Sequence, residues 1–441
     1  MRNSLLVRDA LAIVVDENTI RAGDVLIVDG VVAPAGSSAP TGLTELDASG
    51  CVVTPGLINA HHHLLQSAFR TLPGSRGVPM ATWLGVMAAA YRRVGVDPEL
   101  AGAAAGVAAL EGVLCGVTTV ADHHLTWPAE LSVAGTVEIA RATVGAAASA
   151  GSRLVFVRGT ARDDPEQAAL SAEAIVSALA PGAVGGVVEG GMLQIAVGPA
   201  GAHSDALETF RLLGEVAARH GLRRRTQANE QVDVEVAAQQ YGRRPLDLLD
   251  EWGWLATDVT IAHLVGVTSD EIVRLAAAGV TATHAPGCDV PMGWGVAPVA
   301  ALLEADIPVG LGTSGGGSND GGHLLADARL AMQVSALVGD PLPAARVLGM
   351  ATAGSAAGLG RPELGSLRPG AAGDLAVWDV SGVADAGVAD PVGGLLWAAP
   401  GRRPRDVAVG GELVVREGIS TRLDQRDVGD RLRRLLSDRG H

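Results

Sequence analysis

Residues 54–63 of the chain read TPGLINAHHH, and this stretch decides the predicted fold. A Pro-Gly turn leads into a short apolar strand, and the His-x-His pattern at its end places alternate side chains on one face. His61 and His63 can therefore reach one metal ion while His62 points away. The alternative is a polar loop with three surface histidines. In α/β barrels, however, the chemistry lies at the carboxyl ends of the strands, which favours a metal site here.

Beyond this stretch, short apolar runs alternate with alanine-rich segments of helical length. The alternation continues for about 300 residues, which predicts a parallel sheet closed into a barrel. We therefore predict an α/β fold with a distorted (β/α)8 TIM barrel as catalytic domain over residues 56–365. The apolar runs that predict its later strands are residues 117–120, 153–157, 194–197, 259–262, 280–283 and 309–311.

The two ends of the chain carry a different pattern, in which short strands are separated by turn residues. Asp29-Gly30 joins two of the N-terminal runs and is typical of a hairpin turn. Because the N-terminal sheet is too thin to stand alone, residues 1–55 and 366–415 are predicted to form one composite β-sandwich. Residues 416–441 mix charges at helical spacing, which predicts a C-terminal helical tail. The predicted strands at the ends are residues 4–7, 11–15, 24–28, 30–33, 375–378, 406–409 and 412–415.

Composition excludes several functional classes. The chain has 441 residues, a formal net charge of −15 and 48% apolar residues, so we expect a globular protein that binds no nucleic acid. It contains no lysine. This absence excludes Schiff-base chemistry, a Walker phosphate loop and a carbamylated lysine between two metals.

The cysteines and the N-terminus bear on the cellular compartment. Cys51, Cys115 and Cys288 stand far apart in the sequence, so neither a disulfide framework nor a thiolate zinc site is indicated. The N-terminus lacks a signal-peptide pattern, and no apolar run has the length of a membrane span. We expect a cytoplasmic protein with no membrane partner.

Several further motifs accompany residues 54–63. Together they resemble the amidohydrolase superfamily, in the branch that contains 8-oxoguanine deaminase and the bacterial triazine hydrolases, over roughly residues 20–415. The resemblance implies a barrel with a composite β-sandwich and a metal-dependent hydrolase of heterocycles. The motifs are GVTTVADHH at 116–124, IAH at 261–263, MGWG at 292–295, SNDGGHLL at 318–325 and GSLRPGAAGDLAVW at 365–378.

The resemblance also implies a ligand set from which this chain departs. In these deaminases a metal is held by His-x-His, by a histidine that opens a His-x-x-Glu motif after the fifth strand, and by an aspartate after the eighth. Here Gln227 precedes Glu230 in the fifth-strand motif, and Ser314 stands at the eighth-strand position. The triazine hydrolases are similar in having a hydroxyl residue there. Because a neutral amide replaces an imidazole at Gln227, we expect weaker zinc binding.

Three hypotheses follow for this site. His263, which the resemblance places beside the metal-bound water, could join His61 and His63 as the third ligand of zinc or another divalent metal. Alternatively, the site is metal-poor, and Glu230, His263 and Gln227 form a purely organic constellation. In the third hypothesis, Gln227 is a drifted residue in a protein without catalysis.

The resemblance assigns roles to several other residues. Glu230 is the candidate proton shuttle, which would protonate a ring nitrogen while a metal hydroxide attacks the ring carbon. His263 and His284 are further catalytic candidates, and His284 matches a position used near the leaving group. For these histidines and for the binding candidates, a structural role is the alternative. The candidate substrate-binding residues are Gln227, Met292, Trp294, Asn319, Asp320 and His124.

We therefore predict a hydrolase that displaces an amino or other leaving group from a planar nitrogen heterocycle such as a purine, pterin or triazine. The bond cleaved would be a non-peptide carbon–nitrogen bond or a carbon–halide bond. Few arginines lie at strand ends, chiefly Arg70 and residues 223–225, which favours a neutral ring over an anionic metabolite. The alternative is a metal-poor lyase or isomerase, or a catalytically silent heterocycle binder, on the same fold. The resemblance implies a homodimer.

Overall fold

The computed structural model describes residues 4–440, so residues 1–3 and 441 of the predicted terminal segments lie outside the described residues. It contains two nine-stranded sheets. The strands in chain order are β1 Leu5–Asp16, β2 Thr19–Val28, β3 Val31–Val32, β4 Thr44–Asp47, β5 Cys51–Pro55, β6 Leu57–His63, β7 Val117–His124, β8 Arg153–Thr160, β9 Leu193–Pro199, β10 Arg224–Ala228, β11 Val259–His263, β12 Thr281–His284, β13 Val309–Leu311, β14 Ser314–Gly315, β15 Leu375–Asp379, β16 Asp406–Val409, β17 Glu412–Arg416 and β18 Ile419–Ser420.

The parallel sheet forms the barrel. Its strands follow the order β13-β12-β11-β10-β9-β8-β7-β6-β14. Ser314 and Gly315 of β14 pair with His62 and His63 of β6, and only two residues separate β13 from β14. The two edges of the sheet therefore meet and close the barrel, which confirms the predicted fold class.

Closure depends on a glycine next to the candidate site. A Cβ atom at Gly312 would lie 2.6 Å from the backbone oxygen of His61 and 2.7 Å from its Cβ. Native Cβ atoms do not make contacts this short, so any larger residue would push the segment between β13 and β14 away from β6. Gly312 therefore lets the eighth-strand region approach the strand that carries the His-x-His pair.

Helices connect the strands and cover the barrel. The side chains of Asp97, Ser132, Asp164 and Thr268 accept hydrogen bonds from first-turn N–H groups, which fixes where four of these helices begin. No helix within residues 4–440 is long and apolar enough to cross a membrane. The helices are α1 Met80–Val94, α2 Pro98–Leu114, α3 Val133–Ala150, α4 Pro165–Leu179, α5 Leu207–His220, α6 Gln231–Tyr241, α7 Pro245–Glu251, α8 Ser269–Ala278, α9 Pro286–Asp289, α10 Val299–Glu304, α11 Leu324–Ser335, α12 Ala344–Gly349, α13 Ser355–Leu359, α14 Pro391–Trp397 and α15 Gln425–Asp438, with 3₁₀ turns at Leu64–Ala68 and Val383–Asp385 and a π-helical turn at Met350–Gly354.

The second sheet combines both ends of the chain. β15 pairs antiparallel with β5 and β16, and β5 pairs parallel with β1 on its other side. The order is β18-β17-β16-β15-β5-β1-β2-β3, with β4 beside β1. Leu5, Ile13, Ile27, Val53 and Leu375 are fully buried in a core that belongs to this sheet. The sheet is therefore composite, as predicted, and its last strand ends at Ser420.

The N-terminal strands differ from the prediction in one respect. Predicted strands 4–7 and 11–15 are one continuous strand, β1, because a bulge between them absorbs the polar residues. Asp9 in the bulge has a φ of 57°, and its N–H donates to Oδ1 of Asp24 at 2.9 Å. The hairpin predicted at residues 29–30 is confirmed by the pairing of β2 with β3.

A buried ion pair fastens the barrel to the composite sheet. Nε and Nη2 of Arg153, on β8, donate to the two carboxylate oxygens of Asp374 at 2.7 and 2.9 Å. One of these oxygens also accepts the Gly410 N–H at 2.7 Å. The bidentate geometry fixes the orientation of both layers as well as their separation.

Candidate active site at the carboxyl ends of the barrel strands

Five buried histidines meet at one end of the barrel. His61 and His63 lie at the end of β6, His123 on β7, His263 on β11 and His284 on β12. The ring centre of His61 lies 4.9 Å from that of His63 and 5.2 Å from that of His263. The structure thus brings together the three rings that the sequence predicts to share a metal. His123, which belongs to the motif at residues 116–124, lies 5.9 Å from His61 by the same measure.

Burial keeps three of these imidazoles neutral. Desolvation lowers the pKa of His63 to about 4 and that of His123 to about 3, and desolvation together with the neighbouring imidazoles lowers the pKa of His61. Nδ1 of His63 lies 2.7 Å from the backbone oxygen of His123, so Nδ1 carries the hydrogen and Nε2 keeps its lone pair. Nε2 of His61 is buried without a hydrogen-bond partner. Neutral imidazoles with a free nitrogen are the form that binds metal ions.

His263 has a different environment. Its Nδ1 lies 3.0 and 3.2 Å from the two carboxylate oxygens of Asp289, and its Nε2 lies 3.7 Å from Oε1 of Glu230. Burial alone would lower the pKa of His263, but the carboxylates of Asp289 and Glu230 raise it to about 9. Asp289 is not predictable from the sequence, because nothing in its local sequence shows that it faces a residue 26 positions earlier.

Glu230 lies at the N-terminus of α6 and is buried. Burial raises the pKa of its carboxyl group, and the charges of His263 and His203 oppose that rise. His203 is held by Asp233, whose Oδ1 lies 3.0 Å from Nδ1 of the imidazole. His203 and Asp233 were not among the residues predicted from the sequence. The helical spacing could have indicated Asp233, because it lies one turn after Glu230 on the same face of α6.

The residues at the two altered positions lie on strands next to those that carry the cluster, since Gln227 pairs with Ala262 of β11 and Ser314 with His62 of β6. The side-chain amide of Gln227 donates to the backbone oxygen of Ala200 at 3.2 Å, which leaves its oxygen as the group available to a ligand. Ser314 is buried. Neither residue supplies a charged ligand where the resemblance implies a histidine and an aspartate.

A buried arginine lies beneath the cluster. The guanidinium of Arg225 donates to the backbone oxygens of Ala60 and Gly358, and within residues 4–440 no carboxylate forms an ion pair with it. Its charge contributes to the lowered pKa of His61 and His123. Arg225 thus places a positive charge on this side of the site, where the buried carboxylate of Asp122 acts on His123 in the opposite sense.

His284 and Cys288 lie on the other side, next to Asp289. Nδ1 of His284 is buried without a hydrogen-bond partner, and burial lowers its pKa to about 4. Burial also raises the pKa of Cys288, so its sulfur is a neutral thiol. All three cysteines are buried and free.

The remaining predicted binding residues contact other protein groups. Nε1 of Trp294 donates to Val78 at 3.2 Å, its ring packs edge-to-face against Trp83 at 5.4 Å, and the Met292 sulfur lies 4.0 Å from a guanidinium nitrogen of Arg76. They line the loop after the first barrel strand.

Asn319, Asp320 and His124 are also engaged. Asn319 donates to Asp327 at 3.1 Å, and Asp320 accepts the Thr71 N–H at 2.6 Å. His124 packs on Trp127 with ring centres 4.5 Å apart. These contacts match the structural alternative for the three residues, and their role toward a substrate stays a prediction.

Part of the histidine cluster has the ligand atoms that a divalent ion requires. A cation fits the unpaired buried Nε2 atoms of His61 and His263 together with the free Nε2 of His63. The carboxylate of Asp289, which contacts Nδ1 of His263, is of the kind that often accompanies metal-binding histidines. Within residues 4–440, however, it is His263, Cys288 and Asp289 that each place one possible ligand atom within 4.8 Å of the other two. His61, His63 and His263 do not form such a group, so their shared coordination stays a prediction.

Comparison with known proteins gives consistent results along the chain. The sequence model of the amidohydrolase family matches residues 52–414. The chain is 34% identical over 436 residues to the 8-oxoguanine deaminase of Pseudomonas aeruginosa, and the aligned region covers 95% of each protein. It is 28% identical to an isoxanthopterin deaminase from an unknown prokaryotic organism, over 99% of this chain and 97% of that protein. The crystal structure of atrazine chlorohydrolase from Arthrobacter aurescens TC1 complexed with zinc superimposes with a TM-score of 0.90 at 32% identity, over 98% of this chain and 100% of that one.

Proposed function

The chain belongs to the amidohydrolase family and is a hydrolase of carbon–nitrogen or carbon–halide bonds, and from this premise we propose that it displaces a leaving group from a neutral, planar nitrogen heterocycle. One observation carries the proposal. The buried carboxyl group of Glu230, with a raised pKa, lies 3.7 Å from an imidazole at the carboxyl ends of the barrel strands. This is where α/β barrels perform chemistry.

Glu230 supplies the proton in the proposed reaction. Because burial raises its pKa, its carboxyl group binds a proton more readily than an exposed one and can transfer it to a ring nitrogen. Protonation withdraws electrons from the adjacent ring carbon and prepares it for attack by water. The carboxylate then takes a proton from water as the water oxygen bonds to the carbon, and passes it to an amino leaving group, which departs as ammonia while the hydroxyl proton of the intermediate restores the carboxyl group. A halide departs as the anion and needs no proton.

His263 orients the reacting groups. Asp289 fixes the ring through Nδ1, so Nε2 is presented beside Glu230. While its Nε2 binds no metal, a histidine held in this way can donate a hydrogen bond to the leaving group or to the attacking oxygen. His284, with an unpaired buried nitrogen, is proposed to contact the leaving group.

We further propose that the enzyme uses zinc or another divalent metal, with His263 as a ligand and, from the sequence hypothesis, His61 and His63 as its partners. A bound ion of this kind lowers the pKa of water and so supplies hydroxide at neutral pH. The zinc-bound structural neighbour supports the proposal of a metal. Gln227 would contribute its amide oxygen, a weaker ligand than the imidazole it replaces.

The substrate is proposed to be a purine, pterin or triazine. Relatives named for 8-oxoguanine, isoxanthopterin and atrazine support a flat heterocycle. Met292 and Trp294 would supply an apolar wall for the ring. Asn319, Asp320 and His124 would shape the entrance. A cytoplasmic location and a homodimeric assembly are also retained as proposals.

A second candidate is a metal-poor lyase, isomerase or silent binder. The observation that favours it is the charge of Arg225, which forms no ion pair within residues 4–440 and acts on His61, since a nearby cation opposes metal binding.

A thermal-shift panel tests the substrate class. Purines, pterins and triazines are compared with phosphosugars and acidic amides, because a ligand that binds the folded state raises the melting temperature through mass action. We expect stabilisation by at least one neutral heterocycle and none by the anionic compounds. Stabilisation by the anionic compounds alone would contradict the proposal, and no response to any compound would favour the second candidate.

A further inference from the structure

A buried carboxylate joins the two turns that carry Glu230 and His263. Glu271, in the first turn of α8, is only 3% exposed. Its Oε2 accepts the side-chain N–H of Asn229 at 3.0 Å, from the turn that leads from β10 to Glu230. The same oxygen accepts the backbone N–H of Thr268 at 2.8 Å, from the loop that follows His263. One carboxyl group thus contacts the segments that follow both β10 and β11.

Arg244 completes the contacts of Glu271. Its Nε donates to Oε1 at 2.7 Å and its Nη2 to Oε2 at 2.9 Å, and this bidentate pair fixes the orientation of the carboxylate as well as its position. Nη2 also donates to the backbone oxygen of Gly266 at 2.7 Å. The Gly266 N–H in turn donates to the backbone oxygen of Asn229 at 2.8 Å. Both side-chain and backbone hydrogen bonds therefore hold the two turns together.

The backbone of both turns has an uncommon conformation. Asn229 has a φ of 55°, His263 of 72° and Leu264 of 55°, all in the left-handed region. Residues other than glycine adopt this region at an energetic cost and keep it only where the surrounding contacts hold them. The contacts of Glu271 are of this kind, because they reach the residue before Glu230 and the loop after Leu264.

The capping of α8 explains only part of this arrangement. Thr268 and Glu271 form a capping box, in which the Glu271 N–H donates to Oγ1 of Thr268 at 3.3 Å. A capping box needs no residue outside its own helix terminus. Asn229 and Arg244 come from other parts of the chain. The hydrogen bond to Asn229 connects the box to the turn that precedes Glu230.

We propose that Glu271 is a positioning residue, which sets the carboxyl group of Glu230 against the imidazole of His263 by holding Asn229. This role rests on the proposed function, because it concerns the placement of the proton carrier. Nε2 of His263 lies 3.7 Å from Oε1 of Glu230. A misplacement of about 1 Å can cost about 100-fold in rate, so the turn that carries Glu230 must be held closely.

Two variants release the turn in different ways. Asn229→Gly removes the side chain that Glu271 holds, and glycine adopts a φ of 55° without strain, so the backbone conformation stays accessible. Asn18→Gly, at an exposed position between β1 and β2, is the matched control. Glu271→Gln keeps the shape of the side chain but leaves one oxygen to accept hydrogen bonds. Urea unfolding compares the stability of each variant with that of the wild type.

Hydrogen–deuterium exchange of the full-length protein tests the connection without a substrate. The Gly266 N–H, which donates to the oxygen of Asn229, should exchange about tenfold faster or more in Asn229→Gly and Glu271→Gln, because the turn opens more often. Mass spectrometry of peptides that contain Gly266 measures the rate. Asn18→Gly should match the wild type. Unchanged exchange in both site variants would overturn the inference.

Turnover of purines, pterins and triazines tests the positioning role. We expect kcat to fall by about 10–100-fold in both variants with KM unchanged, because the ring still binds while the proton carrier is misplaced. The urea midpoint of Asn229→Gly should stay close to that of the wild type. Lower stability with wild-type kcat in the folded variants would assign Glu271 a purely structural role and overturn the inference.

The two measurements also separate the inference from the proposed function. Faster exchange at Gly266 together with wild-type kcat would overturn the positioning role and leave the proposed function intact. Conversion of no ring by the wild type would overturn the proposed function and the positioning role with it, while the exchange rates would still show whether Glu271 holds the turn.

Discussion

Nδ1 of His263 lies 3.0 Å from Oδ1 of Asp289, and this contact turns the opposite ring nitrogen toward Glu230. The pair joins the end of β11 to helix α9 and couples a proton carrier to the group that would bind an ion. A carboxylate on one nitrogen of an imidazole fixes the tautomer and makes the other nitrogen a better ligand. Several expected outcomes depend on this geometry.

The Asp289→Asn substitution should weaken zinc binding by about 10–100-fold, the usual effect of losing such a carboxylate. The amide keeps the shape of the side chain but removes its charge. Equilibrium dialysis against zinc measures the effect, and Asp270→Asn, at an exposed position in the first turn of α8, is the control. Equal zinc affinity in Asp289→Asn and wild type would show that Asp289 neither binds nor orients a ligand.

The Gln227→His substitution should raise the zinc retained after dialysis, because it supplies an imidazole beside His61 and His63. The side chain would give up its bond to the Ala200 oxygen. Atomic emission measures zinc per chain, and Gln240→His adds an exposed imidazole as the control. If both variants retain as much zinc as the wild type, Gln227 does not face the ion.

The stability of the protein should depend on pH through Asp327. Burial raises the pKa of this carboxyl group to about 7. Because its pKa is higher in the folded than in the unfolded chain, its contribution to stability is complete below the unfolded pKa and is lost as the pH rises through about 7. Asp327→Asn removes this dependence while its amide oxygen can still accept the Gly287 N–H.

Between about pH 5 and about pH 8, the wild type should therefore lose about 2–3 kcal/mol more unfolding free energy than Asp327→Asn. Urea unfolding at the two pH values gives the difference. The exposed Asp340→Asn variant should behave as the wild type. Parallel pH profiles for the wild type and Asp327→Asn would contradict the buried, protonated carboxyl group.

The Asp374→Ala substitution should cost about 3–5 kcal/mol of unfolding free energy, because it leaves the buried guanidinium of Arg153 without its carboxylate partner. The matched control is Glu45→Ala, which breaks the exposed pair with Arg8 and should cost less than about 1 kcal/mol. Urea unfolding measures both. Similar small losses in the two variants would mean that the ion pair does not fasten the barrel to the composite sheet.

Local patterns in the sequence predicted most of the fold. The strand–helix alternation predicted the barrel, and the turn at residues 29–30 predicted the hairpin, since both depend on neighbouring residues. The merging of two predicted strands into β1 was missed because the bulge at Asp9 depends on a contact with Asp24, which the local pattern does not contain.

The candidate site was predictable only in part. The strand ends that carry His61, His63 and His263 followed from the motifs, because parallel strands place their carboxyl ends at one edge. The partners of these residues did not follow. Asp289 reaches His263 only through the folded chain, because the two residues lie on different elements.

The central claim is that Glu230 drives hydrolysis of a heterocycle, and turnover measures it most directly. Metal-loaded wild type, Glu230→Gln and the exposed control Glu235→Gln are incubated with a panel of aminated and halogenated purines, pterins and triazines, and products are followed by mass spectrometry with ammonia or halide release. We predict conversion of at least one ring by the wild type and the control, with kcat lower by about 10²–10⁴-fold in Glu230→Gln because the proton carrier is lost. Conversion of no ring by the wild type, or near-wild-type kcat in Glu230→Gln, would contradict the account.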